Sequence, residues 1–420
     1  MNCILDALDR LCPWEEMLDA NYSIAGVPEQ SSPFLFQYLA ARFQRPVLAV
    51  YQTDAAAKRA FEEQVFREKL YLPSPDTELR MMAAKARDVS QERAYGRGSM
   101  RGNVVVFLSI DGLLYKSRPK KQFFDAFLRL SAGQIIPPKE LAARLAQAGY
   151  ERSELTEAPG QFSGRGDILD VFPPGMDDPV RISFFDNEIE SIRAFDADSQ
   201  RSIGAPLEQV SIGPADDMLL TPEDRAVLAR YLRAHGQGGE RYADEVEETG
   251  TFPNISAFAG VFDQYATAAD YAEHPIIVFQ DKRAIQRDHE RMEKERQAFL
   301  ADVMGNEGAF GCECLCREEL SAFLERHSIW EIPLLDPAFS HKADLGLRTA
   351  AGFGGDMELL CSSLKLRIQA GWRVYLFVGS KARHLSSALL EQGLEAPVTQ
   401  GAPLSGPGAA SVNARISLGF

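Results

Sequence analysis

The chain has 420 residues, 45% of them hydrophobic and 25% charged, which is enough for about three domains with cores of their own and excludes general disorder. Lys and Arg number 45 against 60 Asp and Glu, a net charge of -15, and that balance opposes broad adhesion to a phosphate backbone. The longest apolar stretches, such as Val104 to Leu108 and Ile276 to Phe279, fall far below the roughly 18 residues that span a bilayer. Acids near the N-terminus replace the basic start of a secretory signal, so a cytoplasmic protein with no membrane partner is expected.

In chain order, Tyr22 to Ala25 reads as a short strand ending at Gly26. Ser31-Ser32-Pro33 offers an N-cap with Pro at the first helical position, and the helix continues to Phe43. Val47 to Tyr51 is a β-branched and aromatic run typical of a buried strand. Asp54 to Leu70 is amphipathic, Leu72 to Asp76 is a Pro-rich turn, a polar helix extends to about Tyr95, and Asn103 to Ile110 is a strand. Alternating strands and helices imply a parallel sheet with both faces covered.

Beyond Ala132 the pattern changes. Pro137-Pro138 opens a helix striped by Leu141, Leu145 and Ala148 and closed by Gly149. From Gly160 the chain becomes β-like, with strands expected at 168–172, 180–185 and 188–195 and turns at Pro173-Pro174-Gly175 and Asp186-Asn187. Helices resume at Pro222 to His235, and Pro275 to Phe279 is a buried strand. Asp281 to Met304 is a charged helix with Ile285, Met292 and Phe299 along one packed edge. Residues 326–355 have the composition of a connector, and 356–391 read helix, strand, helix. A further strand is expected near 415–420, which leaves this last unit incomplete.

The segment Gly26-Val27-Pro28-Glu29-Gln30-Ser31-Ser32-Pro33 stands after a strand and before a helix, where a phosphate-binding loop belongs. Such a loop needs backbone N–H groups, a Lys for the phosphates and a hydroxyl for magnesium. Here Pro28 lacks the N–H, Glu29 repels phosphate, and Ser32 and Pro33 occupy the Lys and hydroxyl positions. The strand 276–279 ends in Gln280-Asp281 where a magnesium site would want paired carboxylates. No bound cofactor and no catalytic residue are therefore expected, and Gly26, Glu29 and Ser32 mark only a degenerate loop. Cys312, Cys314 and Cys316 alternate like one face of a strand and lack zinc-ligand spacing, so reduced thiols are expected and no metal. Lys116, Arg118, Lys120 and Lys121 read as a solvated basic loop.

The stretch from Gly160 to Gly175, with Pro179 to Asp196 and Ser199-Gln200-Arg201-Ser202, closely resembles a segment shared by the excision-repair helicase UvrB and the transcription-repair coupling factor Mfd. UvrB-like proteins keep a working phosphate loop and a Tyr-rich DNA-inserting hairpin before a stretch similar to Tyr71-Leu72-Pro73-Ser74-Pro75-Asp76-Thr77. This chain has neither, which makes it resemble the Mfd side of the pair. The resemblance implies a degenerate helicase-type α/β domain at 1–131 and 214–325 and an inserted β-rich UvrA-binding domain at 132–213. A linker at 326–355 and a small α/β domain at 356–420 would follow.

It also implies a non-catalytic recruitment module that binds the damage-recognition protein UvrA through Arg165, Arg181 and Phe185. RNA polymerase and DNA would be met through other domains of a full-length family member, which would be an ATP-dependent translocase. Alternation along 180–185 puts Arg181, Ser183 and Phe185 on the face opposite Ile182 and Phe184. An outward Phe beside Arg has the composition of an interface hot spot. The competing reading packs Phe185 under a loop and pairs the arginines with local acids, four Arg among ten Asp and Glu between Glu157 and Arg201. Two other functions stay open: a UvrB-like nucleotide-dependent enzyme, and an autoinhibitory module whose β insert docks on the rest of a longer chain.

Overall fold

The computed structural model describes residues 8, 12–18, 20–64, 68–75, 87–234, 239–252, 255–305, 316–335, 338–348, 353–378, 381–399 and 408–412. Seven parallel strands form its main sheet: β1 (Tyr22–Ala25), β2 (Val47–Tyr51), β3 (Lys69–Leu72), β4 (Val105–Ser109), β13 (Ile276–Gln280), β14 (Ile329–Ile332) and β15 (Lys342–Asp344). Their order is β15-β1-β14-β13-β2-β4-β3. Strands covered on both faces need apolar residues at every position. β2 and β4 are accordingly buried throughout. Leu48, Val50, Val106, Leu108, Ile277 and Phe279 pack into one apolar layer. Val47, Ala49, Val105, Phe107, Ile276 and Val278 pack into the other. This is the parallel α/β sheet expected from the alternation of elements, and it agrees with the helicase-type domain that the resemblance implies.

The second sheet interrupts this unit. β5 (Leu128–Ser131) leads out and β12 (Gln209–Ile212) leads back, paired antiparallel with Leu128 opposite Ile212. Between them lie β6 (Glu151–Arg152), β7 (Gln161–Arg165), β8 (Ile168–Val171), β9 (Val180–Phe185), β10 (Glu188–Phe195) and β11 (Ser202–Leu207), in the order β11-β10-β9-β8-β7-β6. One face carries Phe162, Leu169, Val171, Ile182, Phe184, Ile189 and Ile192, packed with Leu141 and Leu145 of the helix Pro138–Gln147. β5 and β12 make a two-stranded sheet of their own, and a fourth sheet is parallel, β16 (Arg373–Phe377), β18 (Gly408–Val412) and β17 (Val398–Thr399), in the order β16-β18-β17.

The helix Arg87–Gly98 joins the first two sheets through its buried arginines. Arg93 Nε and Arg97 Nη1 lie 2.7 and 2.9 Å from Asp217 Oδ2, all three side chains at most 1% exposed. Arg93 also donates to the Pro73 carbonyl and Arg97 to Ser117 Oγ at 2.7 Å. The Tyr115 ring lies 4.6 Å from the Arg93 guanidinium carbon, and the Tyr271 ring 5.1 Å from that of Arg97. Burial, with Arg97 alongside, pushes the Arg93 guanidinium below its ordinary value, and Asp217 opposes the shift. Ser90 Oγ adds a 2.8 Å bond to Asp216, Gln91 donates to the Pro159 carbonyl, and the Tyr95 ring lies against Gly175, where a Cβ would collide.

Several expectations need correction. The helix from Asp54 ends at Glu63, and Lys69–Leu72 is an edge strand. Ser31 is in the αR region and makes no side-chain cap, so a 3-10 turn at Glu29–Ser31 starts the next helix. Residues 326–355 are no mere connector, since β14 lies inside the main sheet and β15 at its edge. Their alternating, partly polar residues hid two short strands. Strands β5, β7, β11 and β12 and the helix Gly239–Thr249 are present beyond the elements expected from sequence. Cys312, Cys314 and 415–420, with the strand expected there, lie outside the described residues.

Candidate functional site

At the carboxyl ends of the parallel strands, where nucleotides bind in folds of this class, a cleft of about 420 Å³ is lined by Gly26, Glu29, Tyr51, Arg59, Gln280 and Asp281 among others. Gly26 has φ +66, and a Cβ there would overlap Asp344 and come within 2.7 Å of Gly346 N. The turn after β15 fills the approach to the loop: Leu345 N donates to the Ala25 carbonyl at 3.0 Å and Leu347 N to that of Gly26 at 2.8 Å. Glu29 lies 3.6 Å from Arg59, on the rim. Ser32 is buried. Burial, reinforced by Glu29 and Glu63, holds the Tyr51 hydroxyl well above its ordinary value. Asp281 accepts from Ala284 N at 3.2 Å and so starts the helix Lys282–Gly305. Among the described residues no His, Cys, Asp and Glu cluster suits a metal ion.

The outer face of the second sheet is different. Burial along β9 alternates, with Val180, Ile182 and Phe184 inward, Arg181 and Ser183 half-buried, and Phe185 72% exposed. Strand period two produces this alternation, as the sequence pattern implied. Arg165 ends β7, is exposed, and forms no ion pair among the described residues. It sits opposite Ile168, which in turn sits opposite Ser183, so Arg165, Ile168, Ser183 and Phe185 share one face.

Arg181 behaves differently from Arg165. Its Nε and Nη2 contact the two oxygens of Asp170 at 2.7 and 2.8 Å, Nη1 donates to the Gln200 carbonyl at 3.1 Å, and the guanidinium carbon lies 4.6 Å from the Phe195 ring. The Asp170 hydrogen bond holds the Arg181 guanidinium above its ordinary value against partial burial. Sequence alone could not choose this partner, because ten acids lie within the same stretch.

The basic run is not one solvated loop. Arg118 is 6% exposed, paired with Asp224 at 2.6 Å and stacked 4.0 Å from the Phe262 ring. Lys116 lies 4.6 Å from the Tyr265 ring and exposed Lys121 pairs with Asp125. Cys316 is buried.

The fold is that of a parallel α/β sheet interrupted by a mostly antiparallel one whose outer face is open. Residues 128–218 match the family described as the UvrB interaction domain. The transcription-repair-coupling factor of Bacillus subtilis is 27% identical over 310 residues, 67% of this chain and 26% of that protein. That of Myxococcus xanthus is 47% identical over 127 residues, 30% of this chain and 10% of that protein. UvrABC system protein B of Kosmotoga olearia is 27% identical over 270 residues, 59% of this chain and 39% of that protein. The chain is thus similar over much of its length to transcription-repair-coupling factors and to UvrABC system protein B, and spans about a quarter of the Bacillus subtilis relative's length. No described helix is long and apolar enough to cross a membrane.

Proposed function

We propose that this chain is a non-catalytic recruitment module that binds UvrA through the outer face carrying Arg165, Arg181 and Phe185. In a transcription-repair coupling factor it would bring excision repair to a stalled RNA polymerase in the cytoplasm, with polymerase and DNA held by the remaining length of such a protein. The domain bounds we favour are those given by sequence, with the insert extended to take in β5 and with β14 and β15 assigned to the main-sheet domain rather than to a linker.

The observation that carries this reading is Phe185, 72% exposed on a rigid sheet inside the region that matches the UvrB interaction domain. A large aromatic held in water by a well-packed strand stabilises nothing in the isolated chain, while truncation of such an anchor in a complex costs about 2 kcal/mol or more. Binding of purified UvrA to the chain should weaken at least about tenfold on Phe185→Ala or Arg165→Ala; undiminished affinity removes the assignment. The loop at Gly26 has no Lys, and Asp344 and Leu347 crowd it. ATP with magnesium should therefore leave the melting temperature unchanged, and a clear rise would favour the enzyme reading.

A further inference from the structure

Resting on that reading of the face, we infer that Ile168 and Ile135 complete the UvrA contact on either side of Phe185, and that Arg181 is a positioning residue at the other end of the same face. The backbone register carries the first half. Phe185 is opposite Glu188, and Glu188 bridges to Ile135 in the segment that flanks the start of β10. Ile136 N donates to the Asn187 carbonyl at 2.7 Å and Ile189 N to that of Gln134 at 2.9 Å, which fixes the segment alongside the hairpin. Directly opposed residues point to the same face. Inward Ile136 and Ile189 are buried, so Ile135 and Glu188 must face out with Phe185.

On the other side, Ile168 is opposite Ser183 and so diagonal to Phe185, about 7–8 Å away and within reach of an aromatic ring. Exposures of 78% for Ile135, 72% for Phe185 and 39% for Ile168 make a stripe across the sheet. Solitary exposed apolar residues are ordinary, but three on one sheet face, within two strand spacings of one another, mark a contact surface. Arg165 rims the stripe and Glu188 stands within it, between Phe185 and Ile135, which suits an apolar depression on UvrA with a carboxylate facing Arg165.

Arg181 lies at the opposite end of the face. Asp170 takes two of its donors and the Gln200 carbonyl a third, beneath the turn at 196–200. That turn is tied down by Asp196 to Ser199 N at 2.7 Å and by Gln200 Nε2 to the Ala197 carbonyl at 2.7 Å. With its fork occupied, Arg181 has little left to offer a partner and instead fixes how β8, β9 and the turn meet.

Surface plasmon resonance of UvrA on the full chain tests both halves. Ile135→Ala and Ile168→Ala should each weaken binding severalfold, and together on the order of tenfold, with the melting temperature unchanged. If Phe185→Ala weakens binding and the isoleucine pair does not, this inference fails and the underlying reading stands; if all three leave affinity intact, the reading itself fails. Asp170→Asn should weaken binding as much as Arg181→Ala, with no further loss in the double variant. Arg165→Ala should flatten the salt dependence of association while Arg181→Ala leaves it unchanged. Loss of salt dependence in Arg181→Ala, or full affinity in Asp170→Asn beside a loss in Arg181→Ala, overturns the positioning role. Should Asp170→Asn fail to fold, the salt dependence decides alone.

Discussion

Two groups of arginines on this chain follow opposite rules. At the joint between the sheets, Arg93 and Arg97 are withdrawn from water and converge on Asp217 between two tyrosine rings. On the outer face, Arg165 is exposed, with no acid at ion-pair distance among the described residues, although the region is rich in acids. Burial of a charge demands partners supplied by the fold, so the joint is committed to architecture. Exposure without a partner leaves a charge available for another molecule. Arg181 stands between these cases, which is why residue type and spacing could not separate its role from that of Arg165.

The contrast can be broken most severely at Asp217. Replacement by Ala strands two buried cations, and chemical denaturation should show a loss of about 3–5 kcal/mol. Arg181→Ala removes a bidentate, charge-assisted bond and should cost about 1.5–3 kcal/mol by the same measurement. Gly149 has φ +90, and a Cβ would approach Asp216 Cβ at 2.7 Å, so Gly149→Ala should destabilise by about 1–3 kcal/mol. Arg165→Ala should stay within about 0.5 kcal/mol of the parent. A stability loss there comparable to that at Arg181 would erase the distinction.

The smallest expected effect concerns pH. Burial pushes His289 below its ordinary value, with Asp111 and Glu293 opposing and Arg296 and Arg317 reinforcing. The unfolded chain therefore takes up a proton first as pH falls, so the contribution of His289 is complete above about 6.5 and declines as pH drops through the lower folded value. His289→Gln should flatten the fall of melting temperature between pH 7 and 5.

The parallel core was legible because strands covered on both faces must be apolar at every position, as Val47 to Tyr51 and Ile276 to Phe279 are. The alternation that exposes Phe185 was equally plain. Edge and connecting strands were not, since Lys69–Leu72 and Ile329–Ile332 are only four residues long and take their conformation from neighbours distant in sequence. The bonds that Arg181 donates to Asp170 were not legible for the same reason. Ile135 was hidden because nothing local shows that the segment before Pro137 runs beside the hairpin.

Leu128 and Ile212 are hydrogen-bonded neighbours on adjacent strands, so the chain leaves and re-enters the main domain at nearly the same point. To its host, everything between them is topologically one hairpin loop. A unit with adjoining ends can be gained, lost or moved to another scaffold without rethreading the sheet behind it. The outer face of the insert is thus independent of how the main sheet is threaded.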